Sequence, residues 1–236
     1  MKMEKFIVLE KLGEEMYKDK FGNIPNKDKI NYYLIESNQN LGPWVTRLKL
    51  IGKSAKMIGK ELKLDPDIAY ACGSLFEIGK KENKKDLAQV MTGFNILRNE
   101  SYFFPARIAI TSKFIIKDIK TFDENFNIEK KDQKKLENLL KSYQYNDYDK
   151  LIQLLDKSIL ENYVGIENYY KDKKEDKEKE IKILNDYQKY FEEKLKNSIK
   201  YYVDKNARWL IWYFFNEYDF INRIIYYKYK KPTKTF

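Results

Sequence analysis

Apolar side chains at Val45, Leu48, Ile51, Ala55, Ile58 and Leu62 recur three to four residues apart, with polar residues between them. That spacing lays one apolar stripe along a helix and predicts an amphipathic helix over 43–63. Asp65-Pro66 follows, a capping side chain with proline in the first turn. It predicts the start of a second helix, which carries the stretch YACGSLFEIGK at 70–80. Similar patterns predict helices over 85–98, 104–114, 132–143 and 147–160. Two introductory helices fit 4–19 and 26–38, parted by the turn FGNIPN, with Asn26 as N-cap. The segment 115–131 has no clean period and reads as a surface loop. From 171 to 200 charge alternates (KDKKEDKEKEIK), the pattern of a helix with a solvated face. A last helix over 205–230 sets Trp209, Trp212, Asn216, Phe220, Ile224 and Tyr227 along one side.

The elements predict an all-α fold, and composition agrees. Nine Gly and five Pro are few for a sandwich or a dinucleotide-binding sheet, and neither GxGxxG nor GxxxxGK[ST] occurs. The chain's 236 residues suffice for one sizeable core with a small appendage. The single Cys72 excludes an internal disulfide framework and a cysteine zinc site; on an apolar helix face it reads as a small buried hydrophobe. FIVL near the start is too short for a secretory leader, and WLIWYFF at 209–215 is too short to span a bilayer. A soluble, cytoplasmic protein with no transmembrane segment is expected.

Charge adds less than its size suggests. The formal net charge is +10, which suits a polyanionic partner. Lys, Ile, Asn, Tyr and Phe are abundant together, however, and all have A/T-rich codons, so genome bias also accounts for it. The absence of any histidine changes more. Imidazole is the commonest metal ligand and the usual acid–base group near neutral pH, so histidine-dependent mechanisms are excluded.

Five stretches carry a family resemblance. NLGPWVTR (40–47), YACGSLFEIGK (70–80), AQVMTGFNILRN (88–99), ARIAITSKF (106–114) and YNDYDKLIQLLD (145–156) occur in order. They resemble the NPGPWxxH, GLLHDIG, RHxxDGY, ARIxLTHSF and YDDYDxLIQLxD segments of a bacterial subfamily of HD-domain phosphohydrolases. YFEEKLKNSIKYY (190–202) also resembles that group's C-terminal segment, so the similarity covers roughly 38–200. It implies an HD-domain-like helical bundle over 38–165. N-terminal helices over 1–37 and C-terminal helices over 166–236 would be added to it. In the family, histidines and the HD dyad hold divalent cations that activate water against a phosphoester.

Carried over position by position, the ligands are gone. Arg47 stands at the first histidine, Phe76 and Glu77 at the dyad, Gln89 and Ser112 at two further histidines. Only the distal aspartate remains, as Asp156. No catalytic residue, metal or cofactor is therefore expected. We expect Arg47 to replace the ion, pairing with Glu77 or Asp156, while Phe76 fills the vacated volume; two buried carboxylates need a positive partner. A weak carboxylate-only divalent site and an open, solvated pocket are the alternatives. Arg107 and Lys113 fall near the pocket rim by analogy, placed to meet an anion, with a solvated charge as the plainer reading. Lys80 and Lys81 read as cations closing a helix.

The C-terminal stretch INRIIYYKYKKPTKTF (221–236) interleaves aromatics with Arg223, Lys228, Lys230 and Lys231. Basic charge beside stacking surfaces suits single-stranded nucleic acid. A protein partner, a homo-oligomer contact through the aromatic helix, or a frayed basic end are the other readings. Together these features favour a non-catalytic binding protein, a regulator or inhibitor of a protein or ribonucleoprotein. An anti-defence role like that of an anti-CRISPR would fit. The alternative is a weak metal-dependent phosphohydrolase with a carboxylate-only site.

Overall fold

A computed structural model of the chain describes residues 16–122, 125–172 and 175–208. The fold is all-α apart from one hairpin, β1 (Met16–Lys18) paired antiparallel with β2 (Gly22–Ile24). Helices follow in order: α1 (Lys27–Asn31), α2 (Pro43–Glu61), α3 (Pro66–Leu75), α4 (Asp86–Asn99) and α5 (Phe103–Thr111). Then come α6 (Lys130–Ser142), α7 (Asp147–Asp156), the single turn α8 (Ile166–Tyr169) and α9 (Glu178–Glu192), and the chain is helical again over 199–208.

The predicted caps form. Asn26 accepts from the Lys29 amide at 2.8 Å, and Asp65 accepts from Asp67 and Ile68 at 2.9 and 3.3 Å. Asn146 and Asp149 make a reciprocal capping box that starts α7. The apolar stripe of α2 packs along α3, and one continuous core runs from Ile24 to Val203. The α2–α3 crossing is close because Gly52 meets Gly73: a Cβ on Gly73 would lie 2.9 Å from the Gly52 Cα. Cys72 is buried there, and burial pushes its thiol pKa up, so it packs rather than reacts.

Three segments differ from expectation. The helix predicted over 4–19 is a strand at 16–18, because Lys20 and Gly22 take positive φ (+68° and +74°) and turn the chain back as a hairpin. Ile24 and Phe21 tie that hairpin down; the Phe21 ring sits edge-on to Phe104 and Tyr148 at 4.7 and 5.4 Å. Residues 1–15 lie outside the described residues. The helix predicted over 147–160 stops at Asp156, where the chain turns through the Ile159–Tyr163 bridge. The long charged helix of 171–200 is a 3-10 turn (Glu175–Lys177), then α9, then a break before 199. There the Glu192 carboxylate accepts from the Ile199 amide at 2.8 Å and starts a new helix.

After α3 the backbone tightens into a 3-10 turn, Ile78–Glu82, laid directly on α4. Contact is so close that a Cβ on Gly79 would sit 2.0 Å from the Gln89 carbonyl oxygen and 2.8 Å from the Gly93 nitrogen. Both are backbone atoms and cannot rotate aside. Gly79→Ala is therefore expected to cost about 1–3 kcal/mol as overpacking, measured by urea unfolding. A loss under about 0.5 kcal/mol would mean that this contact is looser than described.

Candidate functional site

The 3-10 turn, α2, α7 and the end of α5 meet at a cleft of about 330 Å³. Each supplies one charged group. Arg47 projects from the first turns of α2, Glu77 precedes the 3-10 turn, Asp156 ends α7, and Lys113 follows the last turn of α5.

Lys113 lies between the two acids. Its Nζ is 2.6 Å from a Glu77 oxygen and 3.1 Å from an Asp156 oxygen. Arg47 spans the same pair, with Nη1 3.2 Å from Glu77 and Nη2 2.7 Å from Asp156. Its remaining donors reach the carbonyls of Asp156 (2.6 Å) and Ile159 (2.9 Å), so the guanidinium also staples α2 to the end of α7. Lys80 adds a 2.8 Å contact to Glu77, and Lys157 a 3.3 Å contact to Asp156. The Phe76 ring, buried beneath, lies 5.1 Å from the Lys113 ammonium and 5.9 Å from the Arg47 guanidinium, a further favourable surface for both cations.

These contacts set every protonation state. Burial alone would raise the Glu77 pKa. Lys113 and Arg47, helped by Lys80, overcome both burial and the repulsion from Asp156, and bring it down to about 2. Burial likewise opposes ionisation of Asp156, and Lys113, Lys157 and Arg47 outweigh it, holding that carboxyl well below the usual range. Burial works against the charge on Lys113 and Lys157 too, yet the facing Asp156 carboxylate raises both. Near neutral pH these four groups are charged, and none is poised to take up or release a proton.

The donor set does not fit the divalent ion that the sequence resemblance implies. Among the described residues no group of three or more Asp, Glu, His or Cys is placed to hold a metal. Glu77 and Asp156 are already bonded to four cations, so an ion would have to displace a bonded lysine or the guanidinium; Asp86 and Glu180 also line the cleft.

Several positions differ from the sequence reading. Lys113, expected as a solvated rim charge, is the bridging cation; Ser112 beside it is fully buried, its hydroxyl 3.4 Å from the Ala109 carbonyl, and does not line this cleft. The reason is that α5 ends at Thr111, and the next turn swings position 113 to the cleft. Lys80 and Lys81 lie in the last turn of a helix, but of the 3-10 turn rather than of α3, which ends at Leu75, and Lys80 also pairs with Glu77. Arg107 is neither solvated nor at the cleft. It pairs with the fully buried Asp149 and donates to the Gln144 carbonyl at 2.5 Å. The same aspartate accepts from Thr111 at 2.7 Å. Its acidic anchor belongs to the α7 capping box, a local signal that could have suggested a fixed basic partner. Gln89 lines the cleft wall. Arg223, Lys228, Lys230, Lys231 and the aromatic helix with Trp209 and Trp212 lie outside the described residues. Among those described, no helix is long and apolar enough to cross a membrane.

No protein-family model, curated protein or solved structure matches the chain.

Proposed function

We propose that this chain is a non-catalytic binding protein, built on a helical scaffold resembling that of HD-domain phosphohydrolases. It acts by occupying the surface of a protein or ribonucleoprotein partner, as a regulator or inhibitor. The observation that carries the reading is Lys113 Nζ between Glu77 and Asp156, with Arg47 clamped across the same two carboxylates. Metal-assisted hydrolysis needs an open coordination position and a water held on the ion. Here every oxygen of both carboxylates already has a protein cation as partner. What remains is electrostatic glue for the bundle, with a polar cleft above it.

Hydrolysis of a generic phosphodiester with Mn²⁺ tests this. The expected rate is background, unchanged by Mn²⁺ or by Glu77→Gln, a variant that keeps the side-chain volume. A Mn²⁺-dependent rate that Glu77→Gln abolishes would overturn the proposal in favour of a weak carboxylate-only phosphohydrolase. Capture of partners from the native host, with and without ribonuclease, then separates a protein target from a ribonucleoprotein.

A further inference from the structure

We propose that the outer row of α6 and the aromatic groove beside it form a binding surface for single-stranded nucleic acid. This rests on the reading of the chain as a binding protein, but on different residues from the cleft.

Helix α6 buries only Leu136 and Leu140. On its outer side Lys131, Lys134 and Lys135 fall at i, i+3 and i+4, followed by Asn138, Leu139 and Ser142, which lie along the same side of a helix. The helix's acids, Asp132 and Glu137, fall off that row. The six row residues line a shallow concavity of about 520 Å³. Leu139 also lines the next one, a groove of about 370 Å³ between α4, α5 and α6. Phe94, Phe104 and Tyr143 form its apolar lining, with Lys20 and Arg98 among its cations.

Three observations point to a ligand. No carboxylate lines either concavity. Among the described residues, Lys20, Arg98, Lys131, Lys134 and Lys135 form no salt bridge, whereas the cleft lysines are all paired. Phe103, the first residue of α5, also lines the groove with 59% of its surface exposed, so its ring is open to a stacking partner there. Arg107 does not join these cations, being held by Asp149 while it covers the rings of Phe104 and Tyr143 at 5.5 and 5.2 Å.

Lys135 and Arg98 lie over the Phe94 ring at 5.6 and 5.7 Å, but neither has a carboxylate partner among the described residues. A row of cations without counter-acids beside an exposed ring matches a polymer that presents a phosphate and a flat base at every repeat. A duplex keeps its bases stacked inside and has none to offer Phe103. An acidic peptide answers the charge but brings no planar group to each repeat. Residues 131–142 span about 16 Å along the helix, enough with the groove for a few nucleotides.

Fluorescence anisotropy of the full chain with labelled oligo-dT and oligo-U of about 15 nucleotides tests this. With three to five phosphates contacted, affinity should fall about 15- to 100-fold between about 50 and 200 mM salt. The triple variant Lys131→Ala, Lys134→Ala, Lys135→Ala should weaken binding at least tenfold at the lower salt, and Phe103→Ala at least fivefold. A control triple variant on α9 (Lys179→Ala, Lys182→Ala, Lys189→Ala), equally exposed and equal in charge, should change it less than twofold. The altered side chains are solvent-exposed, and unchanged thermal melts confirm that folding is intact. The proposal fails if no oligonucleotide binds at the lower salt, or if the control weakens binding as much. It fails also if the α6 and Phe103 variants bind like wild type, as they would were the C-terminal tail the binder. A labelled polyglutamate peptide bound in preference to the oligonucleotides would make the face a protein-docking surface instead. Electrophoresis of the recovered oligonucleotide keeps the two proposals apart: cleavage would sink the non-catalytic reading and leave the surface standing.

Discussion

Asp156→Ala should lower the stability of the protein by about 3–5 kcal/mol, the largest single loss expected from the cleft. The carboxylate is fully buried and is, among the described residues, the one acid within reach of Arg47, Lys113 and Lys157 together. Removing it leaves three crowded cations with Glu77 as the remaining counter-charge, and each has already lost most of its water. Removing Arg47 is milder, because Lys113 still bridges both acids and Lys80 and Lys157 remain. Its loss is the guanidinium's bonds to the Asp156 and Ile159 carbonyls. The order Asp156→Ala worse than Arg47→Ala is therefore part of the prediction. Urea unfolding of the two variants, with Asp156→Asn as a near-isosteric check, measures it. A loss below about 1 kcal/mol in both Asp156 variants would show that the cations re-solvate freely and that the cluster is not structural glue.

Much of this architecture was visible along the chain, and the parts that were not share a cause. Helix α2 was legible because its stripe repeats through five turns, and α3 because Asp65 and Pro66 mark its start. Those signals are local. The hairpin at Met16–Ile24 was missed because its shape depends on two positive φ values that a helix-like composition conceals. Arg47 could be matched with Glu77 and Asp156 only through the family resemblance, since 30 and 109 residues separate the partners. Resemblance has its own blind spot. It directs attention to the positions that hold ligands in the family resembled, and Lys113 is one residue past such a position. Which of Ser112 and Lys113 faces the cleft depends on where α5 stops, and helix ends are where sequence patterns are weakest. Lys80 closes the 3-10 turn rather than α3 for the same reason, α3 ending five residues earlier than the pattern suggested. Nothing along the chain singled out the α6 lysines. Only the fold shows that an aromatic groove with no carboxylate lies beside them.

Acid should weaken this protein in a window that Glu77 helps to define. In the folded chain its pKa is about 2, against about 4.3 for an unperturbed glutamate. Between those values the unfolded chain binds the extra proton, so stability falls as pH falls. The contribution is complete above about pH 5, amounts to about 3 kcal/mol, and is lost as pH drops towards 2. Asp156, also held low, steepens the acid end of the same window. The opposite sign applies to Lys113, whose raised pKa contributes stability below the ordinary lysine range and loses it as pH rises beyond. It therefore leaves the acid limb untouched, and with no histidine in the chain no imidazole titration overlaps it. Unfolding free energies between about pH 2.5 and 7 should show a shallower acid limb for Glu77→Gln than for wild type, with the two curves converging at the acid end. Parallel curves would mean that Glu77 titrates alike in both states, and that the cations drawn around it do not favour its charge.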